Sequence, residues 1–237
     1  YLIKRKYIMK KVLVGTPAHD GRLEVYYVQA LMETISYMKT KQFDVHPVFM
    51  SYDSLVQRAR NDLIKIAIEQ DYDYLFFIDS DMTWDPQWMY DLIQTPVDVI
   101  SGTARKKSDN EISFAIKIKS DFENAKRLSS NQDVMEVAGT GMAFTKITKN
   151  AFTKVWDVSK PYKNGERDSR MVFDIGIDDE GELYSEDTAF CNKWKSLGGT
   201  TWVNISMTCG HIGSKVFTGN FKQYFEEYVD RYGKNKK

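Results

Sequence analysis

The feature that most constrains the fold is an apolar run at residues 75–78 (LFFI) that ends in Asp79-Ser80-Asp81. A continuous apolar run of this length is typical of a strand buried on both faces of a parallel sheet. In open α/β sheets, ligands bind beyond the carboxyl ends of such strands. Asp79 and Asp81 therefore stand where a ligand would bind, and their hard oxygens suit Mg²⁺ or Mn²⁺ together with a diphosphate.

A second Asp-x-Asp pair shows that this spacing alone is not specific. Asp71 and Asp73 precede the apolar run, and we interpret them as a solvated turn. Only Asp79 and Asp81 follow a buried strand, and this context favours a ligand-binding role for them. The alternative is that they cap a helix or form a turn.

Composition narrows the range of partners. The chain has 237 residues, enough for one α/β domain with a substantial core. Its 33 basic residues balance 33 acidic ones, so only local basic runs at residues 105–107 and 234–237 could attract nucleic acid or an anionic membrane. Two cysteines without CxxC spacing favour a reducing compartment. No apolar stretch approaches the ~20 residues of a membrane span, and no leader opens the chain, so we expect a soluble cytoplasmic protein.

Strands and helices alternate along the first half of the chain, which predicts a parallel sheet of the nucleotide-binding type. Strands are expected at residues 11–15, 44–50, 75–78, 97–101, 112–118, 134–138, 142–145 and 200–205. Helices are expected at residues 24–39, 54–69, 87–93, 185–197 and 221–232. On the first helix the predicted buried face comprises Val25, Val28, Met32 and Ile35. Residues 160–170 are expected to form a mobile polar loop.

The domain boundaries follow from this order of elements. Residues 1–8 are interpreted as a native extension or a cloning remnant, residues 9–232 as one domain, and residues 233–237 as a basic tail. Within the domain, residues 9–104 are expected to bind a nucleotide. The more β-rich residues 105–232 are expected to hold an acceptor.

Ser185-Glu186-Asp187 opens a predicted helix. Ser185 suits the N-cap, and acids in the first turn are stabilised by the free amides and the helix dipole. The alternative is catalytic, because a carboxylate at a cleft rim could accept the proton of an attacking hydroxyl. The helix terminus is expected to lower the pKa of Asp187.

His211 lies between two glycines and precedes Lys215. A third metal ligand at His211 and a phosphate-binding charge at Lys215 would fit these surroundings. A purely structural histidine is the alternative.

In the second helix, Arg58 and Arg60 cannot share a face, and the polar Asn61 suggests that one face looks into a site.

In this order, these residues resemble the nucleotide-sugar-dependent glycosyltransferases of the GT-A fold, which is Rossmann-like with a mixed, mostly parallel sheet flanked by helices. The matching pieces span residues 11–215. They are Gly15-Thr16-Pro17, Arg58-Ala59-Arg60-Asn61, Phe77-Ile78-Asp79-Ser80-Asp81, residues 137–144, residues 185–191 and His211. The small, anchor-free viral, phage and bacterial members, family 2-like, are the most similar. If the chain is viral, the resemblance implies the host cytoplasm.

The resemblance implies roles for named residues. Thr16, Pro17, Arg60 and Ser80 would contact the nucleotide, and Lys215 the diphosphate. Asp79, Asp81 and His211 would hold Mn²⁺ or Mg²⁺, and Glu186 and Asp187 would face the acceptor. A pair like Glu186-Asp187 occurs in inverting members, in which the Asp is the base, whereas residues 211–215 are similar to a motif of some retaining members, so the stereochemistry stays open.

The function expected on this basis is metal-dependent transfer of a sugar from a nucleotide-diphosphate sugar, UDP-linked by preference, to an acceptor hydroxyl. The acceptor could be a glycan, a glycolipid, a protein or a modified DNA base. Three alternatives remain: a retaining enzyme without a side-chain base, a non-catalytic nucleotide-sugar binding module, and a metal-dependent nucleotidyltransferase. The last is disfavoured because no Gly-rich, basic phosphate loop follows the first strand.

Overall fold

A computed structural model describes residues 9–122, 125–165 and 167–233. The predicted extension at residues 1–8 and residues 234–237 of the predicted tail lie outside the described residues. The strands are β1 Lys10–Ala18, β2 Phe43–Ser51, β3 Tyr74–Ile78, β4 Met82–Thr83, β5 Val99–Ala104, β6 Ile116–Lys117, β7 Arg127–Leu128, β8 Asn131–Val137, β9 Gly139–Thr140, β10 Phe144–Thr148, β11 Pro161–Asn164, β12 Arg167–Arg170, β13 Gly176–Ile177, β14 Leu183–Tyr184, β15 Thr201–Ile212 and β16 Val216–Phe217. The helices are α1 Val25–Thr40, α2 Val56–Glu69, α3 Pro86–Gln94, α4 Lys149–Val158, α5 Glu186–Ser196 and α6 Phe221–Gly233.

A large mixed sheet organises the chain. Its strand order is β2-β1-β3-β10-β5-β15-β8-β7, with β4 and β16 pairing with β15. Strands β1, β2 and β3 are parallel to one another, as are β5 and β15. Strand β10 lies antiparallel between β3 and β5, and β8 lies antiparallel to β15. The predicted fold class, a single α/β domain with a mixed, mostly parallel sheet flanked by helices, is confirmed.

Both faces of the central strands are buried, which is why the sequence of β3 is apolar without alternation. On one face, Val12 of β1 belongs to a cluster with Tyr27 of α1 and Leu92 of α3. On the other, Leu13 belongs to a cluster with Leu63 of α2, and helices α4 and α5 complete this cluster. The sheet is therefore a middle layer, and its strand ends remain available for a site.

A third cluster lies between α6 and strands β15 and β8 of the sheet. It joins Met135 of β8 and Val203 of β15 to Phe221 and Phe225 of α6. Phe114, in the segment that precedes β6, is 6% exposed and packs edge-on against Phe221 with ring centroids 5.0 Å apart. This cluster fixes α6 beside the segment that contains Phe114.

No helix in the described residues is both long enough and apolar enough to span a membrane.

The predicted buried face of α1 is wrong. Val25 and Met32 of that face are 76% and 64% exposed. The buried residues are Tyr27, Ala30, Leu31, Thr34 and Met38. The apolar residues of α1 are distributed around the helix, so the periodicity of the sequence does not identify which face is buried. Long-range contacts select it, because the Tyr27 ring packs edge-on against Trp84 at 5.3 Å and Thr34 accepts a hydrogen bond from the Trp84 indole.

Several elements of the second half also differ from expectation. Helix α4 was not predicted, and the predicted strand at residues 112–118 is reduced to β6 and an isolated bridge between Phe114 and Arg105. The expected mobile loop at residues 160–170 contains the hairpin strands β11 and β12, which pack on α2 where Lys65 donates to the Asp168 carbonyl at 2.7 Å. Strand β15 extends to Ile212, so His211 lies within the strand rather than after it.

Asn61 holds a loop in place rather than facing a ligand site. Its Nδ2 donates to the Phe173 carbonyl at 3.2 Å, and its Oδ1 accepts from the Phe173 amide at 2.7 Å. The side chain is fully buried, so these two hydrogen bonds satisfy groups that would otherwise be costly to bury. The polar interruption in α2 is explained by this anchor, and the neighbouring Arg60 is the residue that reaches the cleft.

Candidate active site

A cleft of about 560 Å³ opens beyond the carboxyl ends of β1 and β3. The predicted site residues that line it are Pro17, Arg60, Asp79, Ser80, Asp81, Glu186, Asp187 and His211. They come from five separate parts of the sequence, and the parallel pairing of β1 and β3 brings two of these parts, Pro17 and residues 79–81, to one edge of the sheet. The structure thus assembles most of the predicted residues around one cavity.

The guanidinium of Arg60 is the centre of the cleft floor. Its Nη1 donates to Glu186 at 2.9 Å and to Asp187, and its Nη2 donates to Asp79 at 3.1 Å. Arg60 is 3% exposed. Burial opposes its charge, but the carboxylates of Asp187, Asp79 and Glu186 outweigh burial and raise the pKa of Arg60. A single cation therefore holds three carboxylates in fixed positions.

The position of Arg60 follows from the helical register of α2. Arg60 is on the buried side, where its guanidinium lies 5.9 Å from the ring centroids of both Phe77 and Phe173. Arg58 points to another side and pairs with Asp53, as the spacing of the two arginines predicted. Because its Nη groups are engaged by carboxylates, Arg60 orients acidic side chains in this geometry, and a contact between Arg60 and a nucleotide stays a prediction.

Asp187 lies in the first turn of α5. Ser185 caps this helix by accepting from the Thr188 amide, as the sequence indicated. Asp187 Oδ2 accepts from the Met142 amide at 3.3 Å. Burial raises the pKa of Asp187 to about 6, against the lowering effect of Arg60 and with a further raising effect of Glu186 and Asp79. The expectation that the helix terminus lowers this pKa is wrong, because burial beside two other acids dominates.

Asp187 also lines a second cavity of about 350 Å³. The other walls of this cavity include Gly139-Thr140-Gly141, residues 114–117, Ser185 and Thr188. A side chain at Gly141 would be tight, since a Cβ there would lie 3.1 Å from Ala115 Cβ and 3.5 Å from Asp187 Oδ2. The carboxylate of Asp187 is therefore part of the walls of two cavities, and a group bound in either one can reach it.

Asp81 and His211 form a pair at the other side of the cleft. His211 Nε2 lies 3.4 Å from Asp81 Oδ2, and His211 Nδ1 is 2.8 Å from the Arg105 carbonyl oxygen. Lys107 Nζ donates to the same Asp81 oxygen at 2.5 Å. Although burial opposes both charges, their hydrogen bond lowers the pKa of Asp81 and raises the pKa of His211.

The predicted metal ligands are near one another but do not form a closed site. Among the described residues, no group of three or more His, Cys, Asp and Glu side chains is placed to hold a metal ion. Asp79 is engaged by Arg60, and Asp81 by Lys107 and His211. The donor chemistry nevertheless fits a divalent cation, because Asp81 Oδ1 is buried without a hydrogen-bond partner and an imidazole nitrogen lies beside the other oxygen.

The predicted nucleotide- and diphosphate-binding residues Thr16, Ser80 and Lys215 have different surroundings. The Thr16 hydroxyl is buried and shares a hydrogen bond of 2.5 Å with the Tyr27 hydroxyl. Ser80 lines the cleft, and its carbonyl accepts from the Glu24 amide. Lys215 lies at the surface, where its ammonium pairs with Asp109. Lys107, in the basic run noted at residues 105–107, is the lysine that pairs with Asp81 of the cleft, although no spacing in the sequence links these two residues.

Comparison with known proteins gives a likeness in fold. No protein-family model matches the sequence, and no curated protein does. Among solved structures, A197 from STIV has a TM-score of 0.52 and 19% identity over 86% of each chain, and this likeness concerns the fold alone. A glycosyltransferase involved in the glycosylation of the major capsid of PBCV-1 has a TM-score of 0.32 and 11% identity over 63% of this chain and 66% of that chain. UDP-glucose pyrophosphorylase complexed with UDP-glucose has a TM-score of 0.44 and 10% identity over 96% and 100%, and the last two scores are too low to support a conclusion.

Replacing Arg60 by Met is expected to destabilise the fold by about 3–5 kcal/mol, because carboxylates would remain at a buried site without their cation. Without Arg60, the pKa of Asp187 rises above its already raised value of about 6. A carboxyl group whose pKa is higher in the folded state than in the unfolded state stabilises the fold while it is protonated. This contribution to the free energy of unfolding is lost as the pH rises through the folded-state pKa. The loss of stability should therefore be larger above pH 6 than below it, in urea unfolding at several pH values.

The matched control for this substitution is Arg58→Met on the same helix, where the arginine is partly exposed and pairs with Asp53. Its effect should be small and nearly independent of pH over the same range. Equal losses for the two variants would contradict the central position that we assign to Arg60.

Proposed function

We propose that the protein transfers a sugar from a nucleotide-diphosphate sugar to an acceptor hydroxyl. The observation that carries this proposal is the position of Asp187, whose carboxylate is shared by two cavities. In an inverting transfer, the acceptor hydroxyl meets the anomeric carbon where the donor and acceptor sites adjoin, and one group there is placed to take the hydroxyl proton. Asp187 is that group, and Arg60 fixes its orientation.

The larger cleft is the proposed donor site. It lies at the carboxyl edge of the parallel strands, where ligands bind in sheets of this type. Asp79, Asp81 and His211 would hold Mn²⁺ or Mg²⁺, which when bound supplies positive charge to the departing diphosphate. Lys107 is already directed at Asp81, and it can turn to a phosphate oxygen once another cation neutralises that carboxylate.

The smaller cavity is the proposed acceptor site. In an inverting reaction, the acceptor oxygen forms a bond to the anomeric carbon, the bond from that carbon to the diphosphate breaks, and the hydroxyl proton passes to Asp187. A pKa of about 6 suits this role, since the group is ionised at neutral pH yet remains basic enough to take a proton. Glu186 remains ion-paired with Arg60 and helps to hold the base in place.

The direct test is a panel of nucleotide sugars, including UDP- and GDP-linked ones, assayed with Mn²⁺ for thermal stabilisation and for release of nucleoside diphosphate. The proposal predicts both effects for at least one donor, and both should disappear in EDTA. Stabilisation without any release would identify a binding module instead. Release of pyrophosphate would identify a nucleotidyltransferase.

Asp187→Asn should lower the transfer rate by about 10²–10⁴ while leaving donor affinity unchanged, because a positioned base is lost but the shape is kept. In the unchanged protein, the rate should fall as the pH drops below about 6, where Asp187 becomes protonated and cannot accept a proton. In Asp187→Asn this acidic limb should be absent. Steady-state kinetics across pH measure both effects.

A suitable control is Asp179→Asn, since Asp179 is an exposed residue outside both cavities. It should leave the rate and the pH profile unchanged. If Asp187→Asn behaves like this control, or if NMR of the product shows retention of the anomeric configuration, Asp187 is not the base, and its role is to orient the acceptor or to stabilise the first turn of α5.

Lys107→Ala and Lys215→Ala separate two candidates for the cation that contacts the diphosphate. Lys107 pairs with Asp81, which lines the cleft, so its loss should weaken donor affinity about 10- to 100-fold at saturating Mn²⁺, the effect of removing one hydrogen bond to a charged group. Lys215 pairs with Asp109 at the surface, so its replacement should have little effect. Calorimetric titration with UDP would show whether the reverse order holds, which would restore Lys215 to the site.

A further inference from the structure

A row of tyrosines runs along α6. Tyr224, Tyr228 and Tyr232 are four residues apart, a spacing that places them on one side of a helix. The ring centroids of Tyr224 and Tyr228 are 6.5 Å apart, and those of Tyr228 and Tyr232 are 4.8 Å apart. The row spans about 12 Å along the helix axis, which is longer than a single sugar ring.

The same three tyrosines line a third cavity of about 580 Å³. Its polar walls include Gln223 and Glu227, whose side chains are joined by a hydrogen bond of 3.0 Å. Aromatic faces with hydrogen-bonding groups beside them are the usual lining of a site that binds a polar ligand with apolar faces.

This cavity lies beside the proposed acceptor site. Phe114 lines the smaller cavity that contains Asp187, and its ring packs against Tyr224 with centroids 5.1 Å apart. Residues 110–112, just before it in the chain, line the tyrosine cavity. One short segment therefore borders both cavities, which places the tyrosine row next to the cavity that contains Asp187.

Packing accounts for part of the row but not for all of it. Tyr224 packs on Phe114, and Tyr228 packs on Phe122 with centroids 5.1 Å apart, so both have a structural role. Tyr232 is 48% exposed although it lies on the same side of the helix and lines the cavity. The outer end of the row thus presents an aromatic ring to solvent at the mouth of a cavity.

We infer that the tyrosine row binds an extended, uncharged glycan, which is the acceptor chain of the proposed transfer. The inference rests on that proposed function. The C–H faces of sugar rings stack on tyrosine rings, and their hydroxyl edges bond to groups such as Gln223 and Glu227. Two carboxylates, Glu111 and Glu227, and one guanidinium, Arg231, line the cavity, so its charge does not favour the phosphates of a nucleic acid.

The test measures binding of cellohexaose, maltohexaose and chitohexaose, each against its disaccharide, by calorimetric titration. At least one hexasaccharide should bind more tightly than its disaccharide. Tyr232→Ala should weaken that binding about 2- to 12-fold, as expected for the loss of one aromatic stacking contact. Tyr232→Phe, which keeps the ring, should bind like the unchanged protein.

Tyr26→Ala is the matched control, because Tyr26 is a similarly exposed tyrosine, 55% exposed, on α1 and outside this cavity. It should leave glycan binding unchanged. The inference is overturned if no hexasaccharide binds, if Tyr232→Ala has no effect, or if oligothymidylate binds with the same dependence on Tyr232.

Donor binding on the same preparations separates this inference from the proposed function. Thermal stabilisation by UDP with Mn²⁺ reports on the cleft around Arg60 alone. If UDP stabilises every variant and glycan binding fails, only the tyrosine row is refuted. If a hexasaccharide binds in a Tyr232-dependent way and no nucleotide or nucleotide sugar binds, the row is a glycan site and the proposed transfer is refuted.

Discussion

The site depends on one buried guanidinium. Arg60 holds Asp79, Glu186 and Asp187, and thereby joins α2, the end of β3 and the start of α5 at a single point. Burying a charge is costly unless it is paired and hydrogen-bonded, so each of these groups needs the others. The position of Asp187 between two cavities is a consequence of this mutual dependence, because the ion pairs fix both its orientation and its depth.

The topology explains why the chemistry collects at this edge of the sheet. Parallel strands β1 and β3 end together, and the antiparallel insertion of β10 brings the segment around Met142 to the same level. The Met142 amide then contacts Asp187, and β15 delivers His211 to Asp81 from the other side. Residues at the end of β3, the start of α5 and the end of β15 therefore line one cleft.

Local sequence patterns predicted those features that depend on local physics. A buried strand followed by Asp79 and Asp81, and the Ser185 cap of α5, were readable because apolar runs and capping residues act within a few positions. The sequence did not predict the buried face of α1, the pairing of Lys107 with Asp81 or the raised pKa of Asp187. Each depends on groups distant in sequence, such as Trp84, Asp81 and Asp79, which only the tertiary fold brings together.

The most direct test of this account is a crystal structure of the protein with UDP and Mn²⁺. We expect the diphosphate in the cleft around Arg60, beside Asp81 and Lys107, with its terminal phosphate toward Asp187. Another cavity, of about 600 Å³, is lined by Trp194 and Trp202 near the amino-terminal end of β15. Nucleotide bound there, with the cleft around Arg60 empty, would contradict the account.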